Sequence, residues 1–262
     1  MPKAIWKGSI SFGLVNIPVK VYSGIGQAGV KFTSLCPYCK KPIRHKRWCD
    51  NCKKEIGFED LLKGFKVGEE YVIVKKEELE RIKARLKTTK TIEIYEFVDL
   101  AQIDPIFYET FYYLVPDETG IKAYSLFAEA LRLTNKAALG KVVMRNKEYL
   151  VALRTYKKGI TMHVLHYLDE IRDVEEIEEL KGLVTIGEQE LNLALALIDK
   201  LSAEKFDPSK FKDEYREAVK KLIESKLKGE EIREEEEKEE EKEAVSLMEA
   251  LKESLEKVKV KT

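Results

Sequence analysis

The chain has 262 residues, with 47 Lys and Arg balanced by 47 Asp and Glu, so its overall charge selects neither an anionic nor a cationic partner. Hydrophobic residues at 44% and aromatic residues at 9% support a packed core and exclude a disordered chain. Charged residues reach 36% against a usual ~25%, the composition of an ion-pair-rich surface, and no run approaches the ~18 apolar residues of a membrane span.

The opening segment, MPKAIWKGSISFG, lacks the apolar stretch of a signal peptide, which sets the expectation of a cytoplasmic protein. Ile10 to Tyr22 is long and β-branched. Its alternation changes phase at Leu14-Val15 and Pro18 interrupts it, predicting one bent strand, or two, with a bulge near Gly13.

Four cysteines follow, Cys36, Cys39, Cys49 and Cys52, and they are the only ones in the chain. The C-x2-C-x9-C-x2-C spacing suits a structural zinc site, with four thiolates supplying every ligand and no open position for chemistry. The bland alternative is four thiols in a reduced loop, and no thioredoxin-like unit surrounds either pair to make it a redox dithiol. The knuckle, residues 31–56, is basic. Lys31, Lys40, Lys41, Arg44, Lys46, Arg47, Lys53 and Lys54 stand against Asp50 between positions 31 and 54. Charges on a rigid tip lose less entropy when they bind, so Arg44, Lys46 and Arg47 are candidate phosphate contacts, with Lys31, Lys53 and Lys54 beside them. Lys63 and Lys66 lie just beyond and extend the candidate surface. A solvated hairpin is the competing reading. Trp48 suits either base stacking or packing under the knuckle.

Tyr71 to Lys75 predicts a short strand leading into a charged helix, Lys76 to Leu86. In TIEIYEFV, Ile92, Ile94 and Val98 fall on one face of a strand. Ile106 to Val115 is an aromatic-rich strand ended by Pro116-Asp117. The next helix carries Ala123, Leu126, Phe127, Ala130 and Leu131 on one side. Lys141 to Met144 and Tyr149 to Arg154 flank a turn at 145–147, and Ile160 to Tyr167 follows the Lys157-Lys158-Gly159 turn. His163 and His166 are three apart on a strand, on opposite faces, and read as ordinary strand residues.

From Asp169 the chain becomes helical and highly charged. Gly187 to Leu201 has an apolar face too wide for simple exposure, which covers either the core or a subunit contact. Asp207 with Pro208 predicts the start of a helix running to about Lys228 and stopping at Gly229. Residues 230–243 hold ten Glu and read as a flexible linker. Ala244, Leu247, Met248, Leu251, Leu255 and Val258 then form one stripe. With little of its own chain to pack on, that helix is a candidate partner-binding peptide.

No P-loop, Rossmann fingerprint, G-x-S-x-G or H-E-x-x-H motif is present, nor the H-x-E of zinc deaminases. The residues alone reach a β-rich nucleic-acid-binding domain with a basic zinc knuckle and a helical arm, and no catalysis.

AIWKGSISFGLVNIPVKVYS at 4–23 closely resembles the opening of prokaryotic Ku, the DNA-end-binding family of non-homologous end joining. KTIEIYEFVDLAQIDPIFYETFYYLVPD at 90–117, GIKAYSLFAEAL at 120–131 and ELNLALALIDKLSAEKFDPSKFKDEYREAVKKLIESKLKGEEI at 190–232 are similar to the same family, as is SLMEALKESLE at 246–256. The resemblance implies an α+β fold: a β-barrel core with a bridge over residues 1–170, a helical dimerisation arm over 171–229, and a linker with a terminal helix over 230–262. It further implies a homodimeric ring around duplex DNA. The ring would protect ends and recruit an ATP-dependent DNA ligase and a repair polymerase, with no membrane partner. The reading of a different class is a monomeric zinc-ribbon adaptor in transcription or RNA metabolism.

Overall fold

A computed structural model describes residues 3–26, 29–85, 90–145, 147–229 and 247–260. The chain divides into two units, Met1–Gln27 with Thr33–Arg172, and Ala28–Phe32 with Asp173–Thr262.

The first unit opens with β1 (Trp6–Phe12) and β2 (Val15–Ser23), antiparallel and joined at Phe12↔Val15 by the two-residue turn Gly13-Leu14. The phase change in the sequence is therefore a hairpin between two strands. Gly13 sits at φ +57°, the left-handed conformation such a turn demands at its first position. Pro18 pairs opposite Ser9 without ending the strand. Outward from the Phe12↔Val15 pair, every second pair is hydrogen-bonded, so position 18 needs no N–H toward β1.

Four short strands then make two separate ribbons, β3 (Trp48–Cys49) with β4 (Lys54–Glu55), and β5 (Lys63–Val67) with β6 (Glu70–Val74). Helix α1 (Lys76–Arg85) follows, then β7 (Thr91–Asp99), β8 (Tyr108–Pro116), α2 (Ile121–Thr134), β9 (Lys136–Met144), β10 (Lys147–Tyr156) and β11 (Gly159–Leu165). Seven strands close into a barrel in the order β1-β2-β8-β11-β10-β9-β7. Closure is by the parallel pair β1–β7, Ser9↔Thr91 to Ser11↔Glu93. A closed barrel leaves no open edge of its own. Its core is aliphatic, including Ile10, Ile17, Val21, Ile92, Leu153 and Met162.

One sequence expectation fails inside the barrel. The β7–β9 register shifts between Ile94 and Glu96, so Ile92 pairs with Val142 but Phe97 pairs with the core residue Ala138. A bulge adds one residue and reverses the pleat. Phe97, not Val98, therefore lies on the same face of β7 as Ile92 and Ile94, though it stays 42% exposed. Its ring meets those of Phe12 and Phe127 edge-on, each at 6.3 Å.

Helix α2 packs on the barrel through Tyr124, Phe127 and Leu131. The predicted face, Ala123, Leu126, Phe127, Ala130 and Leu131, lines an apolar recess of about 540 Å³ with Phe12 and Phe97. The Tyr124 hydroxyl donates to the Leu114 carbonyl at 2.6 Å and accepts the Ile160 N–H at 2.7 Å, tying α2 to two strands.

The second unit holds α3 (Glu188–Leu201), α4 (Glu214–Lys228) and α5 (Leu247–Val260), with a 3-10 turn at Pro208–Lys210 between α3 and α4. Asp207 caps only a single 3-10 turn at Pro208–Lys210, because Phe211 is extended. The helix proper starts after Asp213, whose carboxylate accepts the Arg216 N–H, and ends at Gly229 in the left-handed conformation. Helix α5 packs on α3. The wide face of α3 splits accordingly: Leu193, Ala194 and Leu197 are half-buried, while Leu191, Leu195 and Ile198 stay exposed. The terminal helix thus does have part of its own chain to pack on, through a stripe in which Met248, Leu251 and Leu255 are half-buried. The predicted linker, 230–243, and Ala244 lie outside the described residues. Among the described residues, no helix is long and apolar enough to cross a membrane.

Candidate nucleic-acid interface

The chain leaves the barrel after Ser23 and re-enters it at Thr91. The cysteines and the candidate phosphate contacts Arg44 to Lys66 lie on this excursion. Lys31 falls in the segment Ala28–Phe32, which groups with the second unit.

The two C-x-x-C segments fold as two copies of one turn. After each second cysteine a lysine takes a left-handed conformation, Lys40 at φ 57° and Lys53 at φ 50°. The Lys40 N–H donates to the Cys36 carbonyl at 2.9 Å and the Cys36 N–H to the Lys41 carbonyl at 2.9 Å. The backbone N–H groups of Cys39 and Tyr38, with the Cys39 thiol, hold the Cys36 thiol below its ordinary pKa. The backbone N–H of Cys52, the Cys52 thiol and the backbone N–H of Asn51 do the same for Cys49. The Cys52 thiol is pushed up chiefly by its hydrogen bond to Cys49. Each pair therefore presents one sulfur made more acidic by backbone donors, as a thiolate metal ligand requires.

The donor chemistry fits a soft tetrahedral ion such as zinc. The sulfurs come together two at a time: among the described residues, no three His, Cys, Asp or Glu side chains converge closely enough to hold a metal. All four cysteines are free thiols.

Around the second turn, Trp48↔Glu55 and Cys49↔Lys54 form a short ladder, and the Ile56 N–H donates to the Arg47 carbonyl at 2.8 Å. Glu55 lies one residue beyond the basic stretch 31–54, and its carboxylate takes Lys46 at 2.7 Å. The Arg47 guanidinium lies 5.1 Å from the centre of the Phe58 ring, which holds it by cation–π attraction. Glu55 and Phe58 are the residues that reading the basic stretch alone passes over. A carboxylate directly after the last basic residue was the available signal. Trp48 is more than half exposed, so it does not lie packed beneath the knuckle.

Lys63 and Lys66 are not on one surface. In the β5–β6 ribbon Lys63 pairs with Val74 and Lys66 with Tyr71. A separation of three along a strand places them on opposite faces. His163 sits on the barrel strand β11, where burial and then Arg154 lower its pKa to about 4. Its Nε2 accepts from Arg154 Nε at 3.2 Å, a neutral and structural arrangement.

Residues 11–193 match the family described as the Ku70/Ku80 beta-barrel domain. Proteins named Non-homologous end joining protein Ku are similar along nearly the full chain. The one from Archaeoglobus fulgidus is 46% identical over 98% of this chain and 100% of its own length. Those from Heliobacterium modesticaldum and Bacillus subtilis are 41% and 38% identical, over 98% and 87% of this chain and 92% and 73% of their own lengths.

Proposed function

The chain belongs to the Ku family of non-homologous end joining proteins, and from that premise we propose that it binds broken ends of duplex DNA without regard to sequence. The observation that carries this reading is the excursion between β2 and β7: a basic tip bearing Arg44, Lys46 and Arg47, mounted on a barrel that is already closed. Such side chains reach phosphates, which are the same at every base pair.

In this reading two copies form a ring. Covalently closed DNA offers a ring no way on, so selectivity for ends follows from topology. The ring shields the end and presents it to an ATP-dependent DNA ligase and a repair polymerase, with α5 as a docking peptide. The apolar stripe of α5 then has two competing uses, since it also packs on α3. Cys36, Cys39, Cys49 and Cys52 hold one structural zinc ion, supported by the paired turns and their N–H donors to Cys36 and Cys49. The chain acts by binding and performs no catalysis, in the cytoplasm at the nucleoid.

The test compares linear duplex with a closed circle of the same sequence in a mobility-shift experiment. Binding to the linear form, none stable on the circle, and trapping when a bound fragment is circularised are expected. Tight loading on intact circles, or one subunit gripping DNA or RNA alone, overturns the reading in favour of an open nucleic-acid-binding adaptor.

A further inference from the structure

The β5–β6 ribbon is an exposed apolar element of the first unit. Every residue of β5, and all of β6 but Val74, is exposed, including Phe65, Val67, Tyr71, Val72 and Ile73. A two-stranded ribbon is marginal in water by itself, and a flat apolar strand with an open edge is a template for another strand. Among the described residues, no further strand joins this sheet.

The turn decides which groups the edge offers. Val67 and Glu70 flank the two-residue loop Gly68-Glu69, with Gly68 at φ +61°. The pair flanking such a loop exchanges both hydrogen bonds, and bonded pairs then alternate. Residues 70, 72 and 74 therefore bond to β5. Tyr71 and Ile73 turn their N–H and C=O groups to the open edge. One residue further on, the edge closes: the Lys75 N–H donates to the Glu78 carboxylate at 2.9 Å.

We propose that two copies of the chain join edge to edge through β6, antiparallel about a two-fold axis at Val72, making one four-stranded sheet. This proposal rests on the homodimer reading and assigns its seam. In this register Tyr71 exchanges both backbone bonds with Ile73 of the partner subunit, using the two residues whose groups face outward. Val72 meets Val72 of the partner subunit. Glu69 falls opposite Lys75 of the partner subunit at each end, so the strand is complementary to itself in charge as well as shape. Moving the axis to Ile73 would require the Lys75 N–H, which Glu78 already takes. The joined sheet places Phe65, Val67, Val72 and Val74 of both copies on one face, together with Lys63 and Glu70.

Sedimentation mass of the purified full chain tests it. Wild type is expected as a dimer. Ile73→Pro removes an outward N–H and spares the bonds to β5; Val72→Glu sets two carboxylates against each other at the axis. A ring of two copies closes on two contacts, so with the arm as the other, both variants are expected to weaken dimerisation on the order of tenfold or more, read as monomer appearing on dilution. Glu69→Lys and Lys75→Glu each bring like charges together and are expected to weaken dimerisation on the order of tenfold or more, while the double exchange restores it, which a folding defect cannot do. A wild-type dimer with all variants equally dimeric overturns the seam and leaves the homodimer standing. A wild-type monomer, with and without linear DNA, overturns both.

Discussion

Lys46 Nζ lies 2.7 Å from the carboxylate of Glu55, across the base of the basic tip. Both side chains are more than half exposed, so the pair adds little to folding stability, and its effect is on the field that an incoming phosphate meets. The ammonium is held above its ordinary pKa by that hydrogen bond and stays charged across the physiological range. Glu55→Gln is expected to release Lys46 and tighten duplex binding, and to steepen the fall of log K with log salt by about 0.9, one further phosphate neutralised. A salt titration on linear duplex measures it. An unchanged slope removes Lys46 from the interface.

Arg44→Ala combined with Arg47→Ala is expected to weaken duplex binding by the same factor on unrelated sequences, because phosphate contacts carry no base information. Competition between duplexes of different composition measures this, and strong dependence on sequence contradicts it. Phe58→Ala, which removes the ring under Arg47, is expected to give a smaller loss of the same kind.

Metal analysis of the purified chain is expected to find about one zinc per chain, by the four-ligand rule. Cys36→Ser and Cys49→Ser each remove the sulfur that the backbone N–H groups make more acidic, and each is expected to abolish retention of the metal. A zinc-free wild-type protein that binds DNA fully shows that the paired turns suffice alone.

Tyr124→Phe leaves the Leu114 carbonyl and the Ile160 N–H buried without their phenolic partner. The expected cost is about 1–3 kcal/mol, that of a buried polar group left unpaired, read as a lower denaturant midpoint. An unchanged midpoint shows that water replaces the hydroxyl.

The His163 imidazole stays neutral down to about pH 4 in the folded chain, through burial and the adjacent Arg154, against 6.5 when free. Between these values the unfolded chain binds a proton that the folded chain refuses. The His163 contribution to stability is then full above pH 6.5, falls as pH drops through the window, and levels below about 4. His163→Gln is expected to show a shallower loss than wild type between neutral pH and about pH 4, followed by thermal unfolding. Parallel profiles contradict the assignment.

Much of this protein is set by neighbours in sequence. The paired C-x-x-C turns, the glycine turn between β1 and β2, the Asp104, Asp117 and Asp207 caps and the alternation along β2 all depend on groups within a few residues of one another. Such signals survive in a one-dimensional reading because backbone hydrogen bonds and pleat periodicity are local. The opposite faces of Lys63 and Lys66 were of this kind as well, since a spacing of three on a strand requires it. Local rules also misplaced the start of α4: Asp207-Pro208 and Asp213 are both good caps, and only the extended backbone at Phe211 separates them.

Tertiary structure decided the rest. The parallel closure of β1 on β7, the bulge that moves Phe97 onto the face of Ile92, the pinning of α2 by Tyr124, and the packing of α5 on α3 join residues far apart in the chain. Their register comes from packing and ring closure, in which many strands must fit at once. No window of neighbouring residues holds that information, because each partner is specified only when all the others are in place.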